Sequence, residues 1–425
     1  MSRMEPITSS ERRRFESLDA ESLARHQVAR LNELLDAILP ANRFYADKLA
    51  GIKRPVESLD ELAHWPFTFK EELISAGSDL AGNLTYPLEQ YVRYHQTSGT
   101  RGRPMSVLDT LEDWQWFQHC WHFILDAAEV VPGDRVLLAF SFGPFIGFWG
   151  SYDAFTSRGC LVVTGGGMSS LARLELIRAS KATVLCCTPT YALHLAEVGA
   201  EHQIDVSTLS VRRIIVAGEP GGSIPAVRGR IIDAWSAMVA DHAGATEVGP
   251  WGYGYLGGDG IHILENEFIA EFLSVKTGTP AAEGELAEVV LTNLGRKGNP
   301  VIRYRTGDLV RPSWDRHGAN RFVFLEGGVL GRVDDMLIIR GVNVFPTSVD
   351  QILRSFPEIV EYRLTVFKES EMDQLRIEIE DRLEQPQRVA DELKLRLTLT
   401  IDVQSVPLGS LPRYEGKGKR FIDQR

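Results

Sequence analysis

The sequence contains little cysteine. No two cysteines form a C-x-x-C pair and no histidine cluster accompanies them, so a zinc site is unsupported. Two of them end an apolar run, Thr183 to Cys187, that is typical of a buried strand. We expect inert core cysteines in a reducing compartment. The four are Cys120, Cys160, Cys186 and Cys187.

An excess of positive charge is also missing. Lysine and arginine total 46 against 57 aspartate and glutamate residues, a net charge of −11. A general nucleic-acid-binding protein needs a basic surface facing the phosphates, so no nucleic-acid partner is expected. A nucleotide ligand is not excluded, because its site needs only local positive charge.

Long apolar segments are the third absence. The longest uncharged run, Val136 to Tyr152, is interrupted by three glycines and a proline, which favours a strand and a loop over a membrane helix. The charged N-terminus lacks the apolar region of a signal peptide. We therefore expect no membrane partner and a cytoplasmic location.

The chain has 425 residues, 44% of them hydrophobic and 24% charged. This composition is globular, and the length predicts two or more domains. The first hundred residues are interpreted as helices and loops, with Thr68 to Glu71 as a capping box that starts a helix. Between Glu112 and Asp126, a helical face of large apolar residues predicts a core stripe: Trp114, Phe117, Trp121, Ile124 and Leu125.

Strands and helices then alternate, which predicts a mixed or mainly parallel sheet covered by helices. Predicted strands are 135–140, 161–164, 183–187 and 213–217, and predicted helices are 171–180, 191–199 and 226–236. After about residue 334 the pattern becomes that of a small α+β unit. Its predicted helices are 348–355 and 387–397, and its predicted strands are 361–367, 374–380 and 400–406.

Five short motifs could carry chemistry. In TSGTRGRP, from Thr97 to Pro104, glycines let backbone N–H groups approach an anion and arginines add charge-assisted contacts. It is not a Walker A loop, and alone it is more often a simple turn. In AGATE, from Ala243 to Glu247, a hydroxyl beside a carboxylate could hold Mg²⁺. A solvated loop carboxylate is the alternative.

The remaining motifs are equally open when taken singly. Asp308, in YRTGD, could accept both ribose hydroxyls or be an ordinary turn residue. The segment GRVDDMLIIRGVNVFP, residues 331–346, fits a sheet edge or a hinge. Near the C-terminus Lys417 stands between two glycines in PRYEGKGKR, as a mobile lysine or as part of a solvated basic tail.

In this order and spacing, the five motifs resemble the adenylate-forming superfamily of acyl-CoA ligases, and within it the phenylacetate–CoA ligase family. The resemblance runs from about residue 60 to the C-terminus. It implies an α/β fold with a large N-terminal adenylate-forming domain, residues 1–333, of mixed sheets and covering helices. A small mobile α+β C-terminal domain, residues 334–425, would carry the catalytic lysine.

The resemblance also implies roles for individual residues. Glu247 is expected to bind Mg²⁺ with Thr246 beside it, Asp308 the ribose with Arg332 nearby, and Lys417 the carboxylate and α-phosphate, while Asp334 is the hinge. The ATP phosphates are assigned to Thr97, Ser98, Gly99, Thr100, Arg101, Gly102 and Arg103, the adenine to Gly218, Glu219, Pro220, Ala243 and Gly244, and the acid pocket to Phe142, Phe145, His242 and Ala245.

The sequence departs from the family pattern at three of these positions. Arg101 stands where the phosphate loop usually has threonine, and Arg103 replaces the usual lysine. Ala243 stands where an aromatic residue commonly stacks on adenine, and the neighbouring His242 could partly substitute. These changes bear on nucleotide affinity more than on reaction class.

The expected reaction is the ATP-dependent activation of a carboxylic acid, expected to be aromatic, as an acyl-adenylate, followed by transfer to the thiol of coenzyme A. The alternative acceptors are a carrier-protein pantetheine, an amine or another nitrogen nucleophile. A non-catalytic nucleotide-binding regulator is a further class, disfavoured because Glu247, Asp308, Arg332 and Lys417 occur together. The resemblance leaves room for a homodimer.

Overall fold

The computed structural model describes residues 8–39, 41–75, 80–97, 104–141, 143–314, 318–333, 337–339, 342–344, 346–369, 372–397, 399–412 and 420–425. It is a mixed α/β structure with a large N-terminal part and a smaller C-terminal part, which confirms the predicted fold class. Its α-helices are α1 (Ser9–Glu16), α2 (Ala20–Ile38), α3 (Arg43–Lys48), α4 (Lys70–Ser75), α5 (Leu111–Ala127), α6 (Ile146–Ser157), α7 (Ser170–Ser180), α8 (Pro189–Glu201), α9 (Pro225–Trp235), α10 (Pro346–Arg354) and α11 (Pro386–Leu397).

Within the residues that the structure describes, the strands form five sheets, one of which has nine strands. They are β1 (Tyr91–Gln96), β2 (Ser106–Thr110), β3 (Arg135–Leu138), β4 (Leu161–Thr164), β5 (Val184–Cys187), β6 (Arg213–Val216), β7 (Met238–Ala245), β8 (Gly249–Tyr253), β9 (Gly260–Ile263), β10 (Phe268–Ser274), β11 (Ala287–Asn293), β12 (Tyr304–Val310), β13 (Pro312–Ser313), β14 (Phe324–Glu326), β15 (Gly331–Arg332), β16 (Leu337–Ile339), β17 (Val342–Val344), β18 (Ile359–Glu369), β19 (Met372–Asp381), β20 (Asp402–Ser405) and β21 (Phe421–Asp423).

The nine-stranded sheet has the order β13-β14-β9-β8-β7-β6-β5-β3-β4. The strands from β7 to β4 are parallel, whereas β8, β9, β14 and β13 continue the sheet antiparallel. All four residues of β5 are buried, as expected for a central parallel strand covered on both faces. The four predicted strands and three predicted helices of this region are therefore confirmed within a few residues.

Helix α5 forms because its capping signal and its apolar stripe agree. The Thr110 side chain accepts the backbone N–H of Asp113, whose side chain accepts the N–H of Thr110 in return. The five predicted stripe residues are all buried in the main core, together with Phe148 and Phe155 of α6. Gly150 allows the close approach, since a Cβ there would lie 2.4 Å from Phe117.

Two local predictions need correction. Helix α4 starts at Lys70, as the pattern at Thr68 predicted, but the predicted cap is wrong: the Thr68 hydroxyl donates to the carbonyl of Ile302, 2.6 Å away. Glu72 accepts the N–H of Phe69 instead. The description of the first hundred residues as helices and loops also missed β1, which pairs with β2 in a hairpin.

A second sheet of the N-terminal part, β10-β11-β12-β15, is antiparallel. In the C-terminal part, β18 and β19 form a long antiparallel pair flanked by the parallel neighbours β21 and β20. Helices α10 and α11 pack on this sheet around Val349, Leu353 and Leu393. The predicted α+β character of residues after 334 is thus confirmed.

No helix in the described ranges combines the length and apolar character that crossing a membrane requires.

Candidate active site

The predicted adenine residues lie at the carboxyl ends of two parallel strands. In an open α/β sheet these ends meet at one edge, where ligands bind. Gly218, Glu219 and Pro220 follow β6, and residues 243–247 end β7 and turn into β8. Since β6 and β7 are neighbours, the two predicted adenine segments lie side by side. Gly218 has φ +90°, a conformation that favours glycine.

Hydrogen bonds hold the loop after β6 to both of its neighbouring segments. Glu219 accepts hydrogen bonds from the backbone N–H and the hydroxyl of Thr190, at 2.8 and 2.5 Å, which ties it to the first turn of α8. Ser223 donates to Asp241 of β7 at 2.6 Å. Burial raises the pKa of Asp241 to about 6. Side-chain hydrogen bonds therefore hold the loop at Glu219 and at Ser223.

Thr97 lies at the end of β1, where the chain enters the predicted phosphate loop. Its N–H donates to the carbonyl of Met105 and its hydroxyl accepts the N–H of Met105, both at 3.0 Å. Gln96 donates its N–H to the carbonyl of Pro144 at 2.7 Å, so the hairpin also contacts the loop after β3. The base of the phosphate loop is thus fixed against the carboxyl edge of the sheet.

Glu247 is buried and positioned by two side chains. The hydroxyl of Tyr304 donates to Glu247 Oε1 at 2.7 Å, and Nζ of Lys70 lies 3.8 Å from the same oxygen. Burial and the neighbouring carboxylate hold the pKa of Tyr304 well above its usual value, so the hydroxyl stays a donor. Within the described ranges no donor is found on Glu247 Oε2.

Asp308 is paired with Arg332 across two adjacent strands. The two residues are register partners on β12 and β15, and Arg332 Nη1 donates to Asp308 Oδ1 at 2.8 Å. Nη2 donates to the carbonyl of Thr306 at 2.9 Å. Tyr304, four residues before Asp308 on β12, is the residue that donates to Glu247. The predicted ribose and metal residues are therefore linked through one strand.

Three of the predicted acid-pocket residues are described. Phe145 precedes α6 at the same sheet edge and is exposed, and Ala245 ends β7. His242 is buried: its Nδ1 donates to the carbonyl of Gly252 at 3.0 Å, which leaves the lone pair on Nε2. Its ring lies 4.8 Å from that of Trp121. Burial lowers the pKa of His242 to about 4, so the imidazole is neutral at pH 7.

Several predicted positions lie outside the described residues. They are Ser98, Gly99, Thr100, Arg101, Gly102, Arg103, Phe142, Asp334 and Lys417.

The structure adds residues to this site that the sequence reasoning missed. Tyr304 lies in the YRTGD motif without a predicted role, and Lys70 lies in a segment for which only a helix cap was predicted. Asp241 directly precedes the predicted pocket residue His242. A tyrosine or lysine that contacts a motif residue has no sequence signal of its own, because the pairing joins positions far apart in the chain.

Comparisons with known proteins identify the family of the chain. Residues 88–287 match the family of AMP-binding enzymes, and residues 341–425 match the AMP-binding enzyme C-terminal domain. The phenylacetate-coenzyme A ligase of Escherichia coli K12 is 31% identical, with 99% of each chain covered. That of Thermus thermophilus is 30% identical, covering 97% of this chain and 98% of the relative.

Solved structures of a 2-hydroxyisobutyryl-CoA ligase are also similar. In the postadenylation state, with the adenylate bound, that ligase superposes with a TM-score of 0.91 at 25% identity, covering 100% of this chain and 95% of the other. In the thioesterification state of the same ligase, with CoA also bound, the TM-score is 0.74 at 25% identity, with 100% and 94% coverage.

Fold, site and similarity together define an AMP-forming enzyme of the adenylate-forming class, an acid–thiol ligase that takes ATP, a carboxylic acid and coenzyme A. Within that class, the chain belongs to the phenylacetate–coenzyme A ligase family.

Proposed function

We propose that the protein activates an aromatic carboxylic acid as its acyl-adenylate and transfers the acyl group to coenzyme A. The observation that carries the site assignment is the hydrogen bond from Tyr304 to Glu247, because Tyr304 lies on β12, the strand that also carries Asp308 and its partner contact with Arg332. We also propose the division into residues 1–333 and 334–425, with Asp334 as the hinge. The 2-hydroxyisobutyryl-CoA ligase supports a division into two parts that move relative to each other. At the same sequence identity, its postadenylation state superposes on this chain better than its thioesterification state.

The nucleotide would lie along the carboxyl edge. The adenine would occupy the groove between Gly218–Pro220 and Ala243–Gly244, and the ribose hydroxyls would bond to Asp308. Arg332 holds that aspartate in its orientation through the 2.8 Å contact. The phosphates would extend toward the loop that begins at Thr97. Ala243 offers no aromatic face for stacking, and the His242 ring packs against Trp121.

The oxygen atoms at and beside Glu247 fit a magnesium ion as ligands. Mg²⁺ prefers oxygen ligands and is commonly bound through one or two carboxylates, water and substrate phosphates. Glu247 and Thr246 supply such oxygens, and Tyr304 and Lys70 both contact Glu247 at Oε1. When bound, the ion would neutralise charge on the phosphate oxygens. Tyr304 and Lys70 would hold the carboxylate oriented.

Attack on the α-phosphate needs a carboxylate held in line. Lys417 would neutralise the negative charge of the attacking carboxylate while the small domain is in its adenylation orientation, and pyrophosphate would leave the α-phosphate. Rotation about Asp334 would then carry Lys417 away and admit the thiol. On the acid side, Phe142, Phe145, His242 and Ala245 would line the pocket. Phe145 supports an aryl acid because it stands exposed at the start of α6.

A pyrophosphate-release screen tests the substrate proposal. The acids should include phenylacetate, substituted benzoates and 2-hydroxyisobutyrate, each with and without coenzyme A. Aryl acids should give the highest kcat/KM, and a thioester should form only when CoA is added. A screen in which 2-hydroxyisobutyrate outperforms every aryl acid would reject the aromatic assignment. Adenylate formation without any thioester would point to a carrier protein or a nitrogen nucleophile as acceptor.

A further inference from the structure

A fully buried ion pair connects β2 with the segment between β11 and β12. Arg296, between β11 and β12, and Asp109 of β2 both have 0% exposed side chains. Arg296 Nε donates to Asp109 Oδ1 at 2.7 Å, and Nη2 lies 2.6 Å from the same oxygen. Burying two charges is costly even when they pair well, so such a pair is weak evidence of a purely stabilising role.

The same guanidinium reaches the turn that carries Glu247. Arg296 Nη1 donates to the main-chain carbonyl of Thr246 at 2.9 Å. Because Thr246 directly precedes Glu247, this bond limits where the carboxylate can stand. A planar guanidinium presents its donors in a fixed fork, so its two partners are held at a set separation.

On its other side the pair braces the hairpin that supports the phosphate loop. Asp109 is the register partner of Arg93 in the β1–β2 hairpin. Nδ1 of His95, a β1 residue two positions before Thr97, lies 3.6 Å from Asp109 Oδ2. The His95 ring also stacks on Trp114, with centroids 5.3 Å apart. Asp109 is therefore held between the strand that enters the loop and Arg296.

We propose that Arg296 is a positioning residue for adenylation, which holds the Glu247 turn at a set distance from the β1–β2 hairpin, the hairpin that enters the predicted phosphate loop, by binding Asp109 and the Thr246 carbonyl at once. The inference rests on the proposed function, in which that loop binds the phosphates of ATP and Glu247 binds Mg²⁺. Phosphoryl chemistry needs both groups placed to within a fraction of an ångström, and such placement depends on a rigid supporting shell.

The test uses Arg296→Lys and Asp109→Asn in the full-length protein. Lysine keeps the charge but loses the planar fork, and asparagine keeps the shape but loses the charge. ATP binding is measured by titration calorimetry in excess Mg²⁺ and in EDTA. Both variants should lose roughly 10- to 100-fold of the Mg²⁺-dependent gain in ATP affinity, as for other residues that orient metal ligands. ATP affinity in EDTA should not change, and raised Mg²⁺ should restore adenylation.

Asp126→Asn is the matched control. Asp126 lies near the C-terminal end of α5, at the far end from Asp109, and is paired with Arg12 and Arg158, each at 2.7 Å. Its loss should lower thermal stability and leave the Mg²⁺ dependence of ATP binding as in the parent. Thermal unfolding of all variants separates a stability effect from a positioning effect. If Arg296→Lys does not fold, Asp109→Asn decides the question.

Glu247→Gln separates failure of the inference from failure of its premise. If Glu247→Gln loses the Mg²⁺-dependent affinity while Arg296→Lys and Asp109→Asn retain it, the positioning role is overturned and the proposed function stands. If Glu247→Gln itself binds Mg²⁺-ATP as the parent does, the metal assignment is wrong and the positioning role falls with it.

Discussion

The hydroxyl of Tyr304 donates a 2.7 Å hydrogen bond to Glu247 Oε1, and this contact joins the two halves of the site. Tyr304 begins β12, the strand that also carries Asp308, whereas Glu247 lies in the turn after β7 of the other sheet. Both side chains are buried. The orientation of the proposed metal ligand is thus coupled to the strand that holds the proposed ribose ligand.

Tyr304→Phe should therefore impair adenylation without unfolding the protein. The ring that fills the core is kept, so stability should fall by only about 1 kcal/mol for the lost hydrogen bond. Adenylation should fall roughly 10- to 100-fold, the usual effect of removing a residue that orients a metal ligand. ATP–pyrophosphate exchange measures the rate and chemical denaturation the stability.

Tyr253→Phe is the control for this change. Tyr253 is also buried and donates to a carboxylate, Glu16 Oε1, over the same 2.7 Å. Its loss should cost similar stability and leave the exchange rate unchanged. Equal exchange rates in the two variants would show that the Tyr304–Glu247 bond has no part in the reaction.

Asp308→Ala should raise the KM for ATP more than it changes kcat. Hydrogen bonds to a charged group contribute about 1.5–3 kcal/mol each, or roughly 10- to 150-fold in affinity. Because Asp308 also pairs with Arg332, Arg332→Gln should be compared with it. A direct ribose contact predicts the larger loss for Asp308→Ala. ATP binding as tight as in the parent would refute the ribose assignment.

The free energy of unfolding should depend on pH through two adjacent residues, Asp241 and His242, whose contributions change in opposite directions. The pKa of Asp241 is raised to about 6, so its stabilising contribution is present below about pH 4 and is lost as pH rises through 6. The pKa of His242 is lowered to about 4, so its contribution is present above about pH 6.5 and is lost as pH falls through 4. In the parent protein the two changes in unfolding free energy with pH largely cancel.

Asp241→Asn should leave only the pH dependence of stability that His242 causes. Between pH 4 and pH 7 its unfolding free energy should rise relative to the parent by up to about 3 kcal/mol, the value of a shift of two pKa units. His242→Asn should give the opposite trend. Denaturant unfolding at both pH values measures these differences. Parallel pH profiles for Asp241→Asn and the parent would mean that Asp241 titrates normally.

The alternating strands and helices were predictable because parallel strands such as β5 are apolar runs between turn residues. The sheet β10-β11-β12-β15 was not predicted: every residue of β11 is buried, so the alternation that indicates a half-exposed strand is missing. The hairpin β1–β2 was missed for a related reason, since its strands flank a loop that was considered only for its chemistry.

For the site, the motif glycines, hydroxyls and carboxylates were predictable because turn chemistry is local. The residues that position them were not. Tyr304 and Glu247 are 57 positions apart, and Arg296 and Asp109 are 187 apart. A single sequence contains no signal for such pairs, which arise only when the strands assemble.

The two half-reactions should separate by mutation at Lys417 and Asp334. Lys417→Ala removes a charge that would act on the adenylation transition state, so adenylation should fall by about 10²–10³-fold, as when one electrostatic donor is deleted. Thioester formation from supplied acyl-adenylate and CoA should be nearly unchanged, because the lysine would have left the site. Asp334→Pro should do the reverse, since a fixed φ stiffens the hinge.

Lys419 is the confounding residue for that experiment, because it is equally basic and only two positions away. Lys419→Ala should therefore be measured beside Lys417→Ala in both half-reactions, by pyrophosphate exchange and by thioester formation. The proposed role requires adenylation to survive Lys419→Ala and to fail in Lys417→Ala. The opposite result would move the catalytic role to Lys419. Loss of both half-reactions in Lys417→Ala would instead indicate a lysine needed for folding or domain docking, since a residue used in one orientation cannot limit the other.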